Sequence, residues 1–189
     1  ILASTSAKIH NVPVILDPVA CAASVKKIQV INRISQVGKI DVIKGNIGEI
    51  KSLAGQSANV RGVDSIDSGE GALESCIALS KKCSCVVAAT GKKDFISDGR
   101  KSAIIENGTE MFTKITGSGC MLGALCGAAC GASEDKFSAV VSAILSMNIA
   151  GEEAVKAANA PGSFRVKLMD CIYQLNEEKL KEGAKITWK

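Results

Sequence analysis

Gly117-Ser118-Gly119-Cys120 leads directly into the uncharged run Met121-Leu122-Gly123-Ala124-Leu125. The two glycines read as a turn, and the apolar run after it reads as a helix. The first amides of such a helix have no intrahelical partner, and the helix dipole adds positive potential around them. That combination can hold a phosphate or a developing anion. Cys120 stands at the helix mouth, a position that favours the thiolate. Anion-binding amides beside an ionisable side chain fit phosphoryl transfer. An ordinary glycine-bearing loop before a buried helix accounts for the same four residues. Spacing removes three other glycine motifs. A P-loop needs Gly, four residues, then Gly-Lys-Ser/Thr, and no stretch fits. A dinucleotide fingerprint needs a third glycine where Leu122 stands. A hydrolase elbow needs glycines where Thr116 and Cys120 stand.

Five more residues, the last with the glycine that follows it, can carry related chemistry. Asp17 ends the apolar run Val14-Ile15-Leu16 and is followed by Pro18. Its carboxylate can help to hold Mg²⁺, a hard cation that takes oxygen ligands and keeps several waters. A turn aspartate is the plainer reading. Lys44 follows strand-like apolar residues and precedes Gly45, where an ammonium can meet phosphate as a point charge. Asn46 and Glu49 are three apart and share a helix face. They can order water around Mg²⁺ and the phosphates of ATP. The same pair also matches a helix capping box, which is the reading their spacing favours. Thr90-Gly91 can offer a hydroxyl and an amide to a nucleotide. Asp64 and Ser65 receive no chemical role.

The elements that must position these residues alternate. Val12 to Leu16 reads as a buried parallel strand, followed by an amphipathic helix from about Val25 to Gln36. Asp41 to Lys44 is a second strand, stopped by Gly45, and Ile47 to Leu53 a short helix. Ala54 to Gly69 is polar and loop-like. A helix over Ala72 to Lys82 precedes the strand Cys85 to Ala89. Phe95-Ile96-Ser97 and Lys101 to Ile105 flank Asp98-Gly99, a hairpin signal. Three helices complete the chain: Cys120 to Ala132, Lys136 to about Asn159, and Phe164 to Lys181. Strand–helix alternation predicts an open α/β sheet with helices on both faces. Ligands in such sheets bind beyond the carboxyl ends of the strands. Asp17, Lys44, Thr90 and the 117–120 turn all fall at that edge.

Bulk properties narrow the class. The 189 residues suit one domain with a sizeable core, and 47% hydrophobic against 22% charged residues fits a globular, soluble chain. Net charge is +4, and with 3% aromatic residues no basic, stacking stripe appears, which argues against nucleic-acid binding. No signal peptide is visible, and the eight cysteines read mostly as small core residues of a cytoplasmic protein. Cys83-Ser84-Cys85 and the Cys126/Cys130 pair hint at metal, but the chain has a single histidine and no Cys-x-x-Cys. The helix Cys120 to Ala132 rises only about 20 Å, too short to cross a bilayer. Its glycines at 119, 123, 127 and 131 predict close packing against another element.

Taken together these residues resemble the hydroxyethylthiazole kinases, of the ribokinase-like superfamily. The resemblance runs over Val14 to Val19, Ile43 to Ile50, Leu53-Ala54-Gly55, Gly62-Val63-Asp64-Ser65, Thr90-Gly91 and Thr116 to Leu122. Cys120 is the sharpest mark, because most ribokinase-like kinases carry Asp there. The resemblance implies a mostly parallel open sheet and ATP- and Mg²⁺-dependent phosphorylation of 4-methyl-5-(2-hydroxyethyl)thiazole in thiamine salvage. It implies a homotrimer with active sites at subunit interfaces, beside the cytoplasmic setting and the absence of membrane or nucleic-acid partners read from composition. By motif, Asp17 and Glu49 organise Mg²⁺, and Lys44, Asn46 and Thr90 serve ATP. Gly117 borders the thiazole, the amides of Gly117, Ser118, Gly119 and Cys120 hold the transferring phosphoryl group, and Cys120 is the base candidate.

Two departures stand out. The family usually continues Asp-Pro-Val with Gly-Ala-Gly, and this chain has Ala20-Cys21-Ala22. The chain also begins at Ile1, shortly before the Asp17 strand, whereas the family carries earlier strand–helix units. The expectation is therefore one kinase domain over 1–189 without its first strand–helix units, leaving an exposed sheet edge. A nucleotide-binding or assembly fragment without activity, or a kinase of another small alcohol, are the alternatives.

Overall fold

The computed structural model describes residues 1–55 and 69–189. Most of the polar loop expected over Ala54 to Gly69, with Asp64 and Ser65, lies outside the described residues. Among the described residues six strands form one sheet in sequential order, β1 to β6. Helix α1 (Leu2–Ile9) precedes β1 (Ile15–Leu16). Helix α2 (Val25–Val37) leads to β2 (Val42–Asn46), and α3 (Ile47–Leu53) and α4 (Ala72–Cys83) lead to β3 (Val86–Thr90). Strands β4 (Asp94–Ser97) and β5 (Ser102–Ile105) follow. Four helices, α5 (Ser118–Ala132), α6 (Lys136–Ala157), α7 (Pro161–Tyr173) and α8 (Glu177–Gly183), then separate β5 from β6 (Ile186–Trp188).

The α/β class and the open sheet are as expected, while the balance of pairing differs. β1–β2 and β2–β3 are parallel; β3–β4, β4–β5 and β5–β6 are antiparallel. Parallel pairing needs a crossover that returns the chain to the same end of the sheet, which the helices after β1 and β2 provide and the four helices between β5 and β6 do not. The Asp98-Gly99 hairpin forms where its turn residues place it: Asp98 Oδ1 accepts from the amides of Arg100 and Lys101, both at 2.9 Å.

Alternate residues of the strands feed two cores, one on each sheet face. Val42, Val86, Ala88 and Ile96 pack with α5, α6 and α7 through Cys126, Val140, Ile144, Phe164 and Leu168. Ile43, Val87, Ala89 and Phe95 pack with α2, α3 and α4 through Ile31, Ile50, Cys76 and Leu79. Six of the eight cysteines are buried in or beside these cores.

Three elements depart from the sequence reading. β1 is two residues long and half-buried, not a buried run from Val12. Pro13 has no N–H to give a ladder, and the Val14 amide instead donates to Asp41 Oδ2 at 2.8 Å. The helix expected over Phe164 to Lys181 is two helices. Asn176 breaks it by capping α8, accepting from the Lys179 amide at 2.9 Å. The glycine stripe of α5 is packed only in part: a Cβ at Gly119 would stand 3.4 Å from Lys44 Nζ and one at Gly127 3.7 Å from Ile15, while at Gly123 or Gly131 it would meet nothing within 4 Å. Among the described residues, no helix is long and apolar enough to cross a membrane.

Candidate active site

Parallel strands end together, so their last residues share one edge. Asp17 directly follows β1, Lys44 and Asn46 lie in the last three residues of β2, and Thr90 ends β3 in register with Asn46. Helix α5 packs on β1, bringing its first turn to the same edge. Gly117 caps α5 in the left-handed region (φ 90°), which glycine enters without a Cβ penalty. The helix then starts at Ser118, whose hydroxyl donates to the Phe112 carbonyl at 3.0 Å and fixes the turn.

Lys44 joins two other expected residues. It is 3% exposed, and its ammonium donates to Asp17 Oδ2 and to the Gly119 carbonyl, each at 3.0 Å. A buried cation needs such partners, because desolvation without them costs several kcal/mol. The pairing also draws strand β1, strand β2 and the start of α5 into one cluster. Gly119 and Cys120 are exposed, so the amide turn opens to solvent.

Asn46 and Glu49 form the capping box that their spacing favours. Asn46 Oδ1 accepts from the Glu49 amide at 2.9 Å, and Glu49 Oε2 accepts from the Asn46 amide at 2.8 Å. Glu49 does more than cap, because its Oε1 accepts the Ala20 amide at 2.7 Å. The carboxylate thus ties the loop after Asp17 to the end of β2. The close fit depends on Gly45, where a Cβ would stand 3.0 Å from Glu49 Oε2 and 3.2 Å from Pro18. The Thr90 hydroxyl donates to the Gly45 carbonyl at 3.2 Å.

The Ala20-Cys21-Ala22 departure has a visible cost. Ala20 sits at φ 56°, ψ 28°, a left-handed conformation that costs a non-glycine residue roughly 1 kcal/mol. Cys21 is fully buried, and its thiol donates to the Glu49 carbonyl at 3.6 Å. Burial and the nearby Glu49 charge push that thiol up to about 11.

One residue at this edge escapes the sequence reading. Asp94 opens β4, which returns antiparallel beside β3 and so begins at the edge where β3 ends. It is 5% exposed, and burial pushes its carboxyl up to about 6. Its Oδ1 accepts the Gly91 amide at 3.0 Å, and its Oδ2 accepts from Asn148 of α6 at 2.7 Å. Asp94 therefore sets the Thr90-Gly91 turn. A tight return after Thr90-Gly91 was the available signal; the distant Asn148 gave none.

The chain that carries the cluster of Asp17, Lys44 and the α5 turn, with Asn46, Glu49 and Thr90 around it, matches a family model. The model of the hydroxyethylthiazole kinase family covers residues 1–178. The chain belongs to the hydroxyethylthiazole kinase family. A hydroxyethylthiazole kinase of Clostridium kluyveri is 72% identical over all of this chain and 70% of its own length. Hydroxyethylthiazole kinase 2 of Clostridium botulinum is 60% identical over all of this chain and 72% of its own length. The solved hydroxyethylthiazole kinase protein of Pyrococcus horikoshii is 35% identical, with a TM-score of 0.89 over the whole chain and 70% of the solved one. An ADP complex of Bacillus subtilis pyridoxal kinase, 19% identical, shares the fold alone, with a TM-score of 0.59 over 80% of this chain and 58% of that one. Hydroxyethylthiazole kinases thus set the frame for the edge described above.

Proposed function

We propose that the chain, as one domain over 1–189, transfers the γ-phosphoryl group of ATP to the hydroxyl of 4-methyl-5-(2-hydroxyethyl)thiazole, as expected of its family in thiamine salvage. The observation that carries the site assignment is Lys44, which links Asp17 to the anion-binding turn through two 3.0 Å hydrogen bonds.

In this reading the substrate hydroxyl oxygen forms a bond to the γ-phosphorus while the bond to the ADP oxygen breaks. Such transfer depends on positioning and charge stabilisation more than on covalent chemistry. The amides at the start of α5 hold the equatorial oxygens of the moving group. Gly117 borders the thiazole, and Cys120, exposed at that turn, takes the hydroxyl proton. Lys44 adds fixed positive charge beside the phosphates, and Asn46 and Thr90 line the nucleotide side. The oxygen donors suit Mg²⁺, and Asp17 Oδ1 has no protein hydrogen bond among the described residues. Asp17 would hold the ion, with Glu49 acting through water because both its oxygens already accept amides. When bound, Mg²⁺ supplies charge neutralisation at the phosphates. A cytoplasmic homotrimer belongs to the same reading, and the open apolar face of α5 supports association.

The test is formation of thiazole phosphate from ATP and the thiazole alcohol. A folded protein that binds ATP yet makes no phosphate ester would remove the proposal. Cys120→Ala is expected to lower turnover by about 10²-fold while ATP affinity stays within about twofold. A large loss of ATP affinity would make Cys120 structural instead.

A further inference from the structure

Thr90-Gly91 offers a nucleotide less than its residue types promise, because the Gly91 amide is already donated to Asp94 Oδ1 at 3.0 Å. The Thr90 hydroxyl remains. It donates to the Gly45 carbonyl at 3.2 Å, a long bond for a hydroxyl. Rotation about Cβ–Oγ1 turns that proton to a phosphate oxygen without moving the chain.

Three contacts fix where the hydroxyl stands. Thr90 lies in the ladder opposite Asn46. Only residues 91–93 join β3 to β4, and Asp94, the first residue of β4, clamps that return. Gly91 presses on α3, where a Cβ would come within 2.6 Å of Ile47 Cδ1. The clamp is held in turn from the opposite sheet face. Asn148 of α6, 6% exposed, donates to Asp94 Oδ2 at 2.7 Å. Gly108 crosses the Asn148 side chain, with a Cβ there ending 3.6 Å from Asn148 Cγ. Glu152, one turn further along α6, accepts the Gly108 amide at 2.9 Å. One buried carboxylate thus connects α6 to the turn at the end of β3.

We propose that Asp94, seated on Asn148, is a positioning residue for ATP: it takes the Gly91 amide and so presents the Thr90 hydroxyl, not that amide, to the nucleotide phosphates. The inference rests on the kinase reading above. Asp94 and Asn148 are too buried to touch the ligand and act through Thr90. The acceptor side is anchored separately, by the Ser118 hydroxyl on the Phe112 carbonyl, so the effect falls on the nucleotide. Aspartate suits the task because its two acceptor oxygens face N–H donors from two different elements. Alanine would leave both donors unpaired. Asparagine keeps an acceptor for Gly91, and the Asn148 amide can turn its oxygen to the new NH₂ group.

The test is calorimetric titration of the whole folded protein with ATP and Mg²⁺, paired with KM for the thiazole alcohol. Asp94→Ala weakens ATP binding about tenfold, while KM for the alcohol stays within about twofold. Asp94→Asn returns ATP affinity to within about threefold of the wild type. Thr90→Val also weakens ATP binding about tenfold, and in that background Asp94→Ala costs less than about twofold more, because the group it positions is gone. Ile144→Ala, one turn before Asn148 and fully buried, lowers stability and leaves ATP affinity unchanged, which separates positioning from general destabilisation. Equal ATP affinity in Thr90→Val and the wild type overturns the proposal without any buried variant having to fold. Full additivity of Thr90→Val and Asp94→Ala, or an equal loss of ATP affinity in Ile144→Ala, overturns it too. A wild type that binds no ATP removes the kinase reading and this proposal together; wild-type binding that Asp94→Ala leaves unchanged removes this proposal alone.

Discussion

Helices α5 and α6 lie side by side, and α5 is the more apolar of the two, yet it is much the less buried. α6 buries thirteen of its 22 residues, among them Phe137, Val140, Ile144 and Met147. α5 has no charged residue over its 15 positions and buries only Leu122, Cys126 and Cys130. Their glycines differ in the same way. Gly151 of α6 lies under the Phe112 ring, where a Cβ would collide, while Gly123 and Gly131 of α5 face open space. Apolar composition states what a helix can bury; the surrounding chain decides what it does bury. α6 spans the sheet as a pillar, and its Asn148 reaches the edge to hold Asp94. α5 touches the sheet along one stripe and leaves its first turn open for chemistry.

The contrast can be attacked from its strongest side first. Ile144→Ala in α6 removes a fully buried side chain and should cost about 2–5 kcal/mol of unfolding free energy in a denaturant titration. Next is the polar reach of α6. The folded-state carboxyl of Asp94 lies at about 6, above its ordinary value of 3.8. The group therefore contributes stability that is fully present below about pH 4 and is lost as pH rises through about 6. Relative to Asp94→Asn, the wild type should lose about 3 kcal/mol between those limits, measured as the difference of two pH–stability profiles. A parallel pair of profiles would show that burial does not raise the Asp94 carboxyl.

The glycine pair separates the two helices directly. Gly151→Ala forces the Phe112 ring to shift and should cost about 1–3 kcal/mol. Gly123→Ala should raise stability by up to about 1 kcal/mol, because the helix gains propensity without meeting a neighbour. A loss of stability in Gly123→Ala would break the comparison, since the α5 face would then be covered in solution. Thermal unfolding of both variants reads the two signs.

The sequence made the placement of the candidate site residues legible where one strand end dictates one position. Asp17, Lys44, Asn46 and Thr90 follow apolar strand runs, and parallel pairing brings such ends together. The capping box at Asn46 and Glu49 is legible from spacing alone, and α3 begins and ends where that reading puts it. Gly45 misleads: it reads as a strand stop, yet it stays in the ladder opposite Ala89, and β2 runs on to Asn46. β6 is three residues long and is defined only by its pairing with β5, so no local pattern marks it. Asp94 is hidden for a related reason, because its partner Asn148 lies 54 residues away. The second oxygen of Glu49 is hidden too, since its Ala20 partner belongs to a loop 29 residues earlier.

That second oxygen makes two loops keep the same time. Glu49 holds the amides of Ala20 and Asn46 on the two oxygens of one carboxylate, and neither loop opens widely while it stays in place. Their protons then exchange with solvent through a shared opening event rather than two separate ones. The segment behind Asp17 and the end of β2 are therefore expected to open together, which amide exchange at Ala20 and Asn46 would read.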